Sequence, residues 1–179
     1  MKNSQIQRLA KILFCAYLVA LVWILLFKFS LSISAILDSM NPIRRSINLV
    51  PFQESSIING TIDIKEILFN ALIFLPFGGL MGIVVKTSFW KQLAWIFMFS
   101  LIIEGLQFIL AIGATDITDL LMNTVGGLLG LLIYYGLARL IPVEKLDRNL
   151  TIVGGFLFTG VLLLIIGLLV NQTVTYRIG

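Results

Sequence analysis

Residues 104–130 read EGLQFILAIGATDITDLLMNTVGGLLG. This stretch sets Glu104, Gln107, Asp116, Asp119 and Asn123 inside, or at the edge of, hydrocarbon of the kind that fills a bilayer. An ionisable group at bilayer depth costs at least roughly 2.5–3.5 kcal/mol, so it faces a cavity or a partner rather than lipid. The apolar residues between the polar ones run continuously instead of alternating, which marks spanning helices and not a barrel. Two helices joined by a short turn, built around a polar site, are the first expectation.

The rest of the chain has the same character. Its 179 residues are only 12% charged, against about 25% in soluble domains, and the mean hydropathy is +1.03. The composition predicts an all-α integral membrane protein, a single membrane domain over 1–179, with spans near 10–30, 68–86, 90–112, 117–139 and 151–171. One long loop, 31–67, separates the first two spans. Lys2, Arg8 and Lys11 precede an apolar run over 12–29. That run is longer than the roughly 7–15 residues of a signal-peptide core, so it reads as an uncleaved signal-anchor helix. With no His and only Cys15, a Cys/His zinc site and an intrachain disulfide are excluded. Phe14 is too bulky for a lipoprotein acylation site at Cys15, which leaves a lipid-facing or packing thiol.

Charge placement orients the bundle. With the N-terminus inside, the cytoplasmic segments hold Lys2, Arg8, Lys11, Lys86, Lys91, Arg139, Lys145 and Arg148. The other side holds Lys28, Arg44, Arg45, Lys65 and Arg177. The short loops 86–91 and 139–150 are basic, while 113–116 has no Lys or Arg. The positive-inside rule therefore predicts a cytoplasmic N-terminus, an external loop 31–67, and an external position for Glu104, Asp116, Asp119 and Asn123. The net charge of +4 is accounted for in this way and implies no nucleic-acid partner.

The candidate site residues have competing readings. Asp116, Asp119 and Asn123 are spaced i, i+3, i+7, which aligns them on one helix face at its positive N-terminal end. The same spacing also fits Asp116 or Thr115 as a helix cap with Asp119 as a first-turn acid. Glu104 and Gln107 are helical neighbours whose candidate partners are Asn123, Asn70, Arg44, Arg45 or Lys65. Pro76, after Asn70 and Phe74 and before Phe77, Gly78 and Gly79, predicts a kink or break that lines a cavity or aids packing. Gly126, Gly127 and Gly130 predict close approach of another helix. In the external loop, Asn48, Pro51 and Phe52 lie in SINLVPFQ, where Pro51 biases Val50 toward extended backbone. This segment either dips into the interface or folds against the bundle. Asp116 and Asp119 together are a weak Mg²⁺ candidate; no other metal and no cofactor are expected.

The order of these motifs carries a resemblance. Asn48-Leu49-Val50-Pro51-Phe52, then Asn70-x3-Phe74-x-Pro76-Phe77-Gly78, then Glu104-x2-Gln107, then Asp116-Ile117-x-Asp119-x3-Asn123-x2-Gly126 resembles the VanZ-like membrane protein family over a core of 46–137. Many members carry an Arg before the Asp pair and a third acid within it. Here those places read 113–115 and Thr118, as in the teicoplanin-resistance branch. The resemblance implies a multi-pass protein of the Gram-positive plasma membrane that lowers susceptibility to teicoplanin-type lipoglycopeptides. On that reading, an outward polar pocket meets membrane lipids and either the antibiotic or a cell-wall lipid precursor. The alternatives are an intramembrane enzyme acting on a lipid or precursor headgroup, with a carboxylate as general base, and an assembly partner without chemistry.

Overall fold

A computed structural model describes residues 3–27, 46–52, 57–58, 61–62, 64–110 and 114–178. Five helices dominate: α1 (Asn3–Phe27), α2 (Ile64–Val84), α3 (Phe89–Leu110), α4 (Ile117–Ala138) and α5 (Val143–Ile178). All five are long and apolar enough to cross a bilayer. Four short strands accompany them: β1 (Ser46–Asn48), β2 (Ile57–Ile58), β3 (Thr61–Ile62) and β4 (Ala114–Asp116). The all-α membrane expectation holds, with these strands as an addition that hydropathy does not signal.

Three helix starts lie earlier than the expected spans, and α5 also runs on to Ile178. α1 begins at Asn3 and α2 at Ile64, and α5 begins at Val143 rather than near 151. In each case a polar or charged first turn is helical although it is too hydrophilic to count as span. At α5 the carbonyl of Pro142 accepts the amides of Lys145 and Leu146. Proline suits a helix start because its missing N–H has no intrahelical acceptor there.

The closest packing is between α2 and α4. A Cβ on Gly126 would fall on the Ala71 carbonyl, one on Gly130 on the Leu75 carbonyl, and one on Gly78 on the Gly127 carbonyl. The two backbones are therefore in direct contact along parallel helices, as the small residues of α4 predict. Around this seam, Leu21, Leu25 and Leu26 of α1 join Phe74, Phe77 and Met81 of α2, Ile96 and Ile103 of α3, and Leu131 of α4 in one buried cluster. Phe77 stacks on Phe14 at 5.8 Å and meets Phe99 at 5.1 Å.

Pro76 does not break α2, which runs unbroken from Ile64 to Val84. The turn it disturbs is supported from outside, because the Tyr17 hydroxyl of α1 donates to the Ile73 carbonyl at 2.6 Å. A neighbouring helix thus satisfies backbone in the turn that proline opens. α5 lies against α1 at the bundle edge. Val161, Leu162, Leu163, Leu164 and Ile166 are exposed there, as befits a lipid-facing helix. Cys15 is likewise exposed.

Candidate functional site

The polar residues singled out from the sequence gather where α3 ends and α4 begins. Glu104 lies near the end of α3 and is 4% exposed; Asp116 closes β4 and is 3% exposed. The two are joined directly: the Asp116 amide donates to Glu104 Oε2 at 3.1 Å, and the Thr115 hydroxyl donates to the Glu104 carbonyl at 3.3 Å. Asp116 stands outside the helix with extended backbone, φ −123° and ψ 126°, and its Oδ1 accepts the Thr118 amide at 2.8 Å. It is therefore the N-cap of α4, and the expected face of three residues along α4 starts at Asp119. Capping is favoured here because the first four amides of a helix have no intrahelical acceptor.

The loop between α1 and α2 reaches this node by strand pairing. β1 runs parallel to β4 in the register Ser46↔Ala114, Ile47↔Thr115 and Asn48↔Asp116. Asn48, 5% exposed, holds the Val50 amide through its Oδ1 at 3.1 Å. Two residues later Phe52 adopts φ 60°, and its amide donates to Thr118 Oγ1 at 2.9 Å. A left-handed conformation is costly for a bulky residue. The bond from its amide to Thr118 holds it there. Thr118 itself is fully buried.

Other expected members are placed differently from the sequence expectation. Asn70 does not meet Glu104 or Gln107; its Nδ2 donates to Asp119 Oδ1 at 2.6 Å, tying α2 to α4. Asn123 donates to Ser100 Oγ at 3.0 Å, tying α4 to α3. Gln107 turns to α1 and donates to the Leu25 carbonyl at 3.0 Å. The reason is the close α2–α4 seam, which sets Asn70 beside the first turn of α4 and leaves α3 to face Asn123 through Ser100. Asn123 Oδ1 and Gln107 Oε1 remain buried without a hydrogen-bond partner. Arg44 and Arg45, candidate partners for Glu104, lie outside the described residues. Pro51, Pro76 and Phe52 act through backbone geometry rather than through polar atoms.

Ser100 and Thr118 were not anticipated. Ser100, Glu104 and Gln107 follow i, i+4, i+7 with Gln92 two turns before, and all four are buried on one face of α3. That polar stripe was the available signal. Among the described residues no three acidic, Cys or His side chains stand close enough to hold a metal ion. Asp116 Oδ1 is committed to the Thr118 amide and Asp119 Oδ1 to Asn70.

A second polar cluster occupies the opposite end of the bundle and was also missed. Asp147 of α5, 3% exposed, accepts from Tyr134 Oη at 2.8 Å and from Gln7 Nε2 at 3.2 Å. It also pairs with Lys86 Nζ at 3.2 Å. Lys86 bonds the Gly82 carbonyl and the Tyr134 hydroxyl as well. Three helices and the loop that follows α2 thus converge on one carboxylate, whose place in the run KLDR reads from sequence only as part of a basic loop.

Known proteins resemble this chain over most of its length. A profile of the VanZ/LLP1 family matches residues 14–141, from α1 through the end of α4. The chain is similar to Protein VanZ of Enterococcus faecium, with 41% identity over 166 residues that cover 92% of this chain and 93% of that one. No solved structure matches it significantly. The matched region includes β1, β4 and every residue of the Glu104–Asp116 node. The chain belongs to the VanZ/LLP1 family of membrane proteins.

Proposed function

We propose that this protein lowers the susceptibility of a bacterial plasma membrane to teicoplanin-type lipoglycopeptides, and that the Glu104–Asp116 node, facing outward, is where it acts. The observation that carries the reading is the 41% identity to Protein VanZ along nearly the full length of both chains. Support for the site comes from its construction. Two carboxylate residues, 4% and 3% exposed, are held together at one end of a hydrocarbon bundle, where a charged group is costly unless it serves a polar task. Asn123 Oδ1, buried and unpartnered, adds an acceptor near them. The ligand is the lipid-anchored drug or a cell-wall lipid precursor with which the drug competes. Glu104, Asp116 and Asp119 supply charge; Asn70, Gln107 and Asn123 supply hydrogen bonds.

The test compares wild type with Glu104→Gln, Asp116→Asn and Asp119→Asn in a sensitive strain, at matched membrane levels. Teicoplanin and vancomycin susceptibility are measured beside surface binding of labelled drug. The amide variants keep the shape and most hydrogen bonds, so the expected result is normal expression with weakened teicoplanin protection. Equal protection by all of them would sink the polar-site reading and leave these residues the task of tying helices together. A lipid or wall product made by wild type and lost in the variants would replace binding with enzymatic chemistry.

A further inference from the structure

We infer that segment 47–52 is seated at the headgroup end of the acyl chains of the outer leaflet, where it forms a one-strand-thick wall between lipid and the Glu104–Asp116 node. The segment is two-faced. Ile47 and Leu49 are 54% and 71% exposed, while Asn48 between them is 5% exposed and pairs in register with Asp116. This is the alternation of a strand with one polar, inward side and one apolar, outward side. Val50 and Phe52 continue the apolar side at 50% and 45% exposure.

The level of the segment in the bundle identifies what covers this apolar side. β4 leads directly into Ile117, the first residue of a span, so β1 beside it lies at the depth where that span begins. At the same depth the outer faces of neighbouring helices are also apolar and exposed. They include Phe108 and Ile109 at the end of α3, and Leu68, Phe69 and Leu72 at the start of α2. Segment 47–52 continues that lipid-facing belt around the bundle. Lys65, exposed one turn before Leu68, marks the headgroup layer above it, where long basic side chains reach water.

The backbone is built to hold the segment down. Asn48 folds the chain through the Val50 amide, and Phe52 is fixed at φ 60° by its bond to buried Thr118. These bonds satisfy two amides that lipid cannot, and they set the segment where acyl chains meet headgroups, since lipid-exposed irregular backbone does not occur deeper in the hydrocarbon. The consequence, which rests on the function proposed above, is that the node is reached sideways from the leaflet. A ligand can then keep a hydrocarbon chain in lipid while its polar part meets Glu104 and Asp116.

The test uses full-length protein in phospholipid vesicles with Cys15→Ser as background and one environment-sensitive dye per variant, at Leu49→Cys or Val50→Cys. Leu163→Cys on the lipid face of α5 and Glu144→Cys at the other end provide lipid and water references. The expected result is blue-shifted emission at Leu49 and Val50, quenching by lipids brominated near the headgroup end of the acyl chains, and protection from iodide. Iodide quenching equal to that at Glu144 would overturn the inference. So would protection from both quenchers, which would mean a protein partner or a second copy covers the segment. The readout is independent of resistance. Insertion with a fully protective Glu104→Gln sinks the proposed function alone, whereas a water-exposed dye with a Glu104→Gln defect sinks insertion alone.

Discussion

Asp116 and Thr118 show how two neighbouring polar residues can serve one end of a helix and a distant loop together. The Asp116 side chain accepts the Thr118 amide, while the Thr118 hydroxyl accepts the Phe52 amide. Thr118→Val keeps the volume but leaves a loop amide without its acceptor, a loss worth about 1–3 kcal/mol when the group is buried. The purified variant should melt at lower temperature in detergent, and Thr118→Ser should restore the wild-type value. Asp116→Ala removes a cap worth about 1 kcal/mol, whereas Asp116→Asn retains one. Thermal melts of the pair should therefore separate: Asn close to wild type, Ala clearly lower. If Asn is as unstable as Ala, the carboxylate charge itself holds this turn.

At the level of elements, the α2–α4 seam is decided by glycine. Gly126 and Gly130 are spaced four apart, and each faces a backbone carbonyl of α2 that a methyl group would overlap. Gly130→Ala must push two helices apart, with a cost of about 1–3 kcal/mol or more for overpacking. Gly79→Ala, Gly105→Ala and Gly136→Ala meet open space and gain helix propensity of up to about 1 kcal/mol. Folded yield and melting temperature should fall for Gly126→Ala and Gly130→Ala and hold or rise for the other three. Tyr17→Phe isolates the support given to the proline turn. Loss of its bond to Ile73 should cost roughly 0.6–2 kcal/mol, the range for interhelical bonds in membranes. A double variant with Pro76→Ala tests the coupling: the Tyr17→Phe penalty should shrink once the proline is gone.

The whole molecule has two polar ends with an apolar middle. One end joins β1, α2, α3 and α4 through Glu104, Asp116, Asp119 and Asn123. The other joins α1, α4, α5 and the loop after α2 through Asp147. Asp147 is the chief polar hold on α5, whose remaining length is largely exposed. Asp147→Ala removes the acceptor of the Tyr134 hydroxyl and the ion pair of Lys86, which is half-exposed and can turn to water. Limited proteolysis should then cut between α4 and α5 faster than in wild type, with the α1–α4 core still resistant. Equal cleavage rates would show that α5 is held by its packing on α1 alone. The same division predicts topology. In the Cys15→Ser background, Thr115→Cys should be labelled by an impermeant maleimide from outside intact cells, and Lys145→Cys only after the membrane is opened.

Sequence alone determined the number of spans, their helical nature and the end of the bundle where the carboxylates sit. Continuous apolar runs and basic short loops act locally, through the cost of placing backbone and charge in hydrocarbon, and so are legible residue by residue. The glycine seam was legible for the same reason, since small residues four apart on a helix face have one dominant use in a membrane. Tertiary structure alone decided the partners. Pairing of β1 with β4 joins residues 68 positions apart, and no period in the chain announces a three-residue strand. Asn70 met Asp119 because backbone contact at Gly126 and Gly130 fixes the register of α2 on α4, and Glu104 met the Asp116 amide because Asp116 lies just outside its helix. Asp147, read as one charge in a basic loop, became the buried centre of a clasp between three helices and the loop after α2, because α5 starts eight residues earlier than hydropathy indicates. Hydropathy sums over a window and records where a chain meets lipid; which polar atom meets which depends on packing between segments far apart in the chain.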